Sequence, residues 1–140
     1  RLFLSWDHVI EMSRSGLITV GSHSLTHRRL TEISREEAWK EIKESKNRIE
    51  SKIGMEVRSF CYPDGCFSPE IIEMVKAAGY SSGLAVGTGD IANDMNKPGD
   101  DVYSLRRVCM PDTGFGPYIA SNTSGLLRTI KNHLKLLYRR

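Results

Sequence analysis

The chain has no apolar run long enough to cross a bilayer as a helix, no low-complexity tract and no internal repeat. These absences set aside helical membrane spans, disordered linkers and solenoid arrays. Cysteine is scarce: Cys61, Cys66 and Cys109 are an odd set without zinc-finger or ribbon spacing, so at least one thiol stays unpaired and a structural zinc knot is excluded. Cys61 and Cys66 can pair only if the turn between them allows it, and the odd count leans towards a reducing compartment. A large charge excess is also missing. Twenty basic against 17 acidic residues give +3, too little to argue for a nucleic-acid partner. With 39% hydrophobic and 26% charged residues, the 140-residue chain suits a single globular domain with a real core.

Apolar periodicity and capping residues set out the elements. Ser5 is suited to cap a helix carrying Trp6, Val9, Ile10 and Met12, which Gly16 ends. Ile18–Val20 reads as a buried strand. Ser34 and Glu37 form an S-x-x-E capping box for a long helix with Ala38, Ile42, Ile49 and Ile53 on its apolar face and Gly54 at its end. Its Lys and Glu residues read as a solvated face with i,i+4 pairs. Val57–Tyr62 reads as the next strand. Ser68 and Pro69 open a helix that buries Ile71, Ile72, Met74, Val75 and Ala78 and stops at Gly79. Gly83–Val86 and Tyr103–Cys109 complete the strands, around a Gly-, Asn- and Asp-rich loop over 87–101. Ser124–Tyr138 reads as a basic amphipathic helix. Strands alternating with helices predict an α/β fold with parallel strands and right-handed crossovers.

The chemistry concentrates at His23-Ser24-Leu25-Thr26-His27, directly after the first strand. Two imidazoles at i,i+4 fall on one side of a helical turn, where both can reach one cation. The C-terminal end of a strand is where α/β folds gather ligand and catalytic groups. Ser24 stands where a zincin carries its glutamate base, which argues against that class of metalloprotease. His8 reads as a helix-surface residue. Trp39 reads as a packing residue or one bordering a groove, with a sugar-facing role as the sharper reading.

The stretch Gly21–His27, followed by Leu30-Thr31 and a capped helix, resembles the second motif, H-[ST]-x-x-H, of the polysaccharide deacetylase family (the NodB homology domain, carbohydrate esterase family four). Arg58-Ser59-Phe60-Cys61-Tyr62-Pro63-Asp64-Gly65 is similar to the F-x-Y-P-x-G form of its third motif, and Ala77-Ala78-Gly79-Tyr80 to the end of the helix that follows. Ser5-Trp6-Asp7 and Leu105-Arg106-Arg107-Val108 sit where similar segments sit in the family.

The resemblance implies a deformed (β/α) barrel, partial here with its first strands missing. Residues 1–112 form the deacetylase domain, and 113–140 a loop and the basic C-terminal helix. It implies hydrolysis of N-acetyl groups on an amino-sugar polysaccharide by a divalent metal, most commonly zinc. His23 and His27 would be ligands, the backbone N–H of Asp64 would sit at the oxyanion position, and Tyr62 and Pro63 would line the substrate groove.

The family's Asp-Asp motif, with the third ligand and general base, has no counterpart. The chain starts at Arg1-Leu2-Phe3-Leu4 and reads as one entered partway through. The late leucine-x-histidine motif that brings the general acid is absent as well. Cys61 stands where well-known members carry Arg, and Asp64 where they carry Tyr. Two alternatives follow: an inactive module that binds a glycan or partner, and a metal-dependent amidase acting on a non-sugar acyl amide. The basic helix could rest on an anionic membrane surface or pack on the barrel or a partner. The family works mostly outside the cytoplasm or at the envelope.

Overall fold

The computed structural model describes residues 3–86 and 96–107. Contacts group Arg1–Ala85 with Asp100–Leu105 as one unit, and Val86–Gly99 with Arg106–Arg140 as another. The expected helix over Ser124–Tyr138, the boundary at residue 112 and Cys109 all lie outside the described residues.

Helix α1 spans Trp6–Arg14, with Ser5 as its cap. Ser5 Oγ accepts from the His8 N–H at 3.3 Å, while the His8 ring returns to the Ser5 N–H at 3.2 Å. His8 therefore closes a capping box instead of standing idle on the helix surface. Helix α2, Arg35–Ile53, carries the expected Ser34–Glu37 box and ends on Gly54 in the left-handed conformation that glycine favours. Helix α3, Pro69–Ala77, starts from the Ser68 cap, whose Oγ accepts from Ile71 N–H at 3.3 Å.

Between them run three strands, β1 (Ser59–Cys61), β2 (Ser82–Val86) and β3 (Leu105–Arg107), in the order β1-β2-β3. β1 and β2 are parallel, with Phe60 opposite Gly83, and α3 is the crossover that joins them. The expected strands Val57–Tyr62 and Tyr103–Cys109 thus shorten to three-residue ladders among the described residues. The expected strand Ile18–Val20 is not one. Its place is taken by a single parallel bridge between Ser22 and Phe60, made by Ser22 N–H to Ser59 O (2.9 Å) and Cys61 N–H to Ser22 O (2.8 Å). Ladder bonds, not apolar residues, define a strand, and this segment meets β1 only at Ser22.

Phe60, Tyr62, Ile42, Val57, Val75 and Leu30 are fully buried and form the centre of the core. α2 packs against both α1 and α3. Several polar groups are buried with it, each with a partner. Lys46 Nζ reaches Glu50 at 2.9 Å and donates to Val57 O, and Glu50 accepts the Val57 N–H at 2.8 Å. This corrects the reading of α2 as carrying its charges only on a solvated face. Opposite β1, Gly83 leaves no room for a side chain. A Cβ there would collide with the carbonyl of Tyr103 and the hydroxyl of Tyr62. Gly83→Ala is expected to lower stability by about 1–3 kcal/mol, read as a lower urea midpoint at an unchanged slope.

Candidate metal and active site

Ser22 sets the start of the site. Its main chain is held by β1, and its buried hydroxyl donates to Ser45 Oγ on α2 at 2.8 Å. The chain then leaves the sheet edge through a bend, not the helical turn that the i,i+4 spacing suggested. Ser24 and His27 adopt φ of 63° and 62°, and the His27 N–H donates to Ser24 Oγ at 2.9 Å. The outcome for the rings is still the expected one: the His23 and His27 centroids lie 4.6 Å apart in an edge-on arrangement. Both residues are exposed.

His23 is further fixed by β1. Its Nδ1 lies 2.8 Å from Cys61 O, and a carbonyl can only accept, so Nδ1 carries a proton and, in a neutral ring, Nε2 is the nitrogen left to ligate. A backbone carbonyl on one ring nitrogen is the usual support of a metal-ligating imidazole, because it sets tautomer and orientation together. The same residue of β1 therefore binds Ser22 through its N–H and His23 through its carbonyl.

The bend is clamped by a residue that sequence reading assigned to the solvated face. Glu41 Oε2 accepts the N–H groups of Leu25 (2.9 Å) and Thr26 (2.7 Å), and Oε1 accepts the Thr26 hydroxyl at 2.5 Å. Burial pushes this carboxyl up. The bonds from Thr26 and Leu25 outweigh burial, and the net shift is below the usual carboxylate range. The sequence signal was available, since Glu41 lies three positions after Ala38 and beside Ile42, on the buried stripe of α2.

The second loop carries Asp64, at φ 54° and ψ 12°, inside the short 3₁₀ turn Pro63–Gly65. The turn closes through Gly65 N–H to Tyr62 O (2.9 Å) and Cys66 N–H to Pro63 O (3.1 Å), and neither bond uses the Asp64 N–H. The half-exposed Asp64 carboxylate accepts from Arg29 Nε at 2.7 Å, and Arg29 also reaches Glu32 at 3.1 Å. The Arg29 bond holds the Asp64 carboxyl below its ordinary range, with the nearby His27 and His23 acting in the same direction. Asp64 thus shares an electrostatic neighbourhood with the imidazole pair. Ser24, His27 and Asp64 are the non-glycine residues with positive φ among the described residues, and all three fall in this site. Such strained backbone persists only where the surroundings impose it, and it clusters at functional sites.

Tyr62 and Pro63, expected to line the substrate groove, lie in the core beneath the turn. Both are fully buried, and the Tyr62 hydroxyl donates to Tyr103 O at 2.7 Å, so they support the turn from beneath. Burial pushes the Tyr62 phenol well above its ordinary range. Cys61 and Cys66 form no disulfide with each other. Among the described residues no cluster of three or more His, Cys, Asp or Glu groups is placed to hold a metal, so the site offers two imidazoles without a third ligand.

Comparison with known proteins gives the arrangement its context. The family profile described as "Polysaccharide deacetylase" matches residues 4–83, more than half of the 140. YxkH of Bacillus subtilis (strain 168), named as a polysaccharide deacetylase, is 25% identical over 122 residues, covering 84% of this chain and 42% of YxkH. The polysaccharide deacetylase BC0361 of Bacillus cereus superposes with a TM-score of 0.69 at 26% identity, over 85% of this chain and 36% of that one. The deacetylase PplD of Streptococcus pyogenes, solved in complex with acetate, gives a TM-score of 0.72 at 19% identity, over 85% of this chain and 50% of its own. The chain therefore spans half or less of the length of these relatives, and its helices and partial parallel sheet are part of their NodB-type (β/α) barrel. It belongs to the polysaccharide deacetylase family.

Proposed function

We propose that the protein removes N-acetyl groups from an amino-sugar polysaccharide, and that His23 and His27 supply two of the ligands of a divalent metal, zinc by the chemistry of the donors. The observation that carries this reading is the imidazole pair, edge to face at 4.6 Å with His23 Nδ1 committed to Cys61 O. Nitrogen donors of this kind suit zinc, and pre-set tautomers favour ligation over surface hydrogen bonding. A cation held there would supply Lewis-acid polarisation of the acetamide carbonyl and activation of water.

The chain's own residues do the rest of what it contributes. Glu41 holds the His-bearing bend, and Cys61 orients one ring. The Asp64 N–H, outside the bonds that close its turn, is the donor proposed for the oxyanion that develops on the acetyl oxygen. The Arg29–Asp64 pair, whose carboxylate feels the charge of the imidazoles, is proposed to meet sugar hydroxyls. The third ligand, the general base and the general acid are not assigned to any described residue.

The test is acetate release from N-acetylglucosamine oligomers in β-1,4 and β-1,6 linkage. Stripping the protein with a chelator is expected to abolish release, and returning zinc to restore it. Release that continues undiminished in thoroughly stripped protein would overturn the metal assignment.

A further inference from the structure

A cavity of about 600 Å³ lies between α2 and α3, lined by Arg35, Trp39, Glu70, Glu73, Met74 and Ala77. Its volume is that of a small-molecule site. One end of it is related to the candidate metal site by chain order. Arg35 is the first residue of α2, and α2 follows the bend that carries the imidazole pair. Glu70 is the second residue of α3, and α3 follows the loop that carries Asp64. An ion pair at 3.5 Å from Arg35 Nε to Glu70 Oε1 joins these two first turns. The Arg35–Glu70 end of the groove is therefore formed by the two helix starts that follow the loops of the candidate metal site.

Its chemistry is mixed in a particular way. Trp39 lines the groove and leaves 38% of its surface exposed. Met74 and Ala77 continue the apolar floor. Around them stand one guanidinium fork and two carboxylates, and Glu73 is balanced by Lys76 at 2.8 Å. Both ion pairs are solvent-exposed and therefore weak, and they can open to a ligand at little cost. A pyranose ring has the complementary layout, with C–H groups on one face and hydroxyls around its rim. An aromatic face with flanking donors and acceptors in near-neutral balance fits an uncharged sugar better than a polyanion or a polycation.

We propose that this groove is a second sugar-binding subsite, which holds a neutral, still N-acetylated hexosamine residue of the polymer away from the residue being deacetylated. The sugar class rests on the reading under Proposed function; the groove and its location do not.

The test is a titration of the protein with N-acetylglucosamine monomer and pentamer, in β-1,4 and β-1,6 linkage, followed by calorimetry. It is run on metal-free protein and on Trp39→Ala, Trp39→Phe and Arg35→Ala variants. The expected result is a pentamer that binds metal-free protein at least about tenfold tighter than the monomer. Trp39→Ala should remove about five- to tenfold of that gain, with Trp39→Phe restoring part of it. Both side chains are at the surface, and matching thermal midpoints establish that the variants fold. Pentamer binding that depends on Trp39 in protein that releases no acetate supports the groove independently of the chemistry. Pentamer affinity unchanged by Trp39→Ala, or no oligomer binding in either linkage, overturns the proposal. A partly deacetylated pentamer that binds more tightly than the fully acetylated one overturns the choice of a neutral sugar.

Discussion

A His23→Ala variant is expected to lose at least about 100-fold in metal-dependent acetate release while remaining folded. Removing an outer partner of a ligating histidine typically costs 10–100-fold in metal affinity or activity, and removing the ligand itself should cost more. The fold should tolerate the change, because the residue is exposed and lies outside the buried core. What disappears structurally is one hydrogen bond, to Cys61 O, and one edge contact with His27. Together these are worth about 1–2 kcal/mol, a shift of several degrees in thermal midpoint for a domain of this size. Competition with a chromophoric zinc chelator measures the ligand loss apart from turnover. A His23→Ala protein that holds zinc as tightly as the parent would show that the imidazole is not a ligand, whatever happens to activity.

Glu41→Ala is expected to be the most damaging substitution outside the imidazoles, and through a different route. It strips the acceptor from two main-chain N–H groups and from the Thr26 hydroxyl, all within the bend between His23 and His27. Each partly buried group left without a partner costs about 1–3 kcal/mol, so a loss of roughly 3–5 kcal/mol is expected from a total stability of roughly 5–15 kcal/mol. Glu41→Gln separates shape from charge. Its carbonyl oxygen can still take both N–H groups and its amide can face the hydroxyl, so most of the stability and zinc affinity should return.

The pH dependence distinguishes the two further. The folded Glu41 carboxyl titrates below its ordinary range. Its contribution to stability is therefore complete above the unfolded carboxyl's range and is lost as pH falls through the lower, folded value. Acid unfolding of Glu41→Gln should lack that component, so its stability should fall less than the parent's between about pH 5 and pH 3. Equal acid sensitivity in the two proteins would mean that the Glu41 charge plays no part in holding the bend. Glu41→Ala protein with full stability and zinc affinity would remove Glu41 from the site altogether.

How much of this was legible in the residues depends on the range of the interaction. The Ser34–Glu37 capping box, the Gly54 stop and the Ser68-Pro69 start are decided within four positions of the chain, and each appears in the structure where the sequence put it. The apolar stripes of α2 and α3 are equally local, and of the core residues they named, Ala38, Ile42, Ile53, Ile71, Met74, Val75 and Ala78 are buried, while Ile49 and Ile72 are partly so. The two sequence motifs identified the family, because His23, His27 and the Phe60–Gly65 stretch are contiguous residue types at fixed spacing. Strand extents were not local. Whether Ile18–Val20 becomes a strand depends on a neighbour tens of residues away, and only Ser22 meets β1.

The site's support belongs wholly to tertiary structure. The i,i+4 spacing suggested a helical turn, yet the rings come together through two left-handed residues, Ser24 and His27, in a bend that local propensity disfavours. Glu41 on α2 and Cys61 on β1 hold that bend across 15 to 38 positions of chain. Tyr62 and Pro63 are taken into the core by packing against strands and loops that no motif encodes. The residue types of the imidazole site were present in the sequence alone. Their usable geometry was decided only when distant acceptors, a carboxylate and a carbonyl, compensated a backbone that would not adopt it unaided.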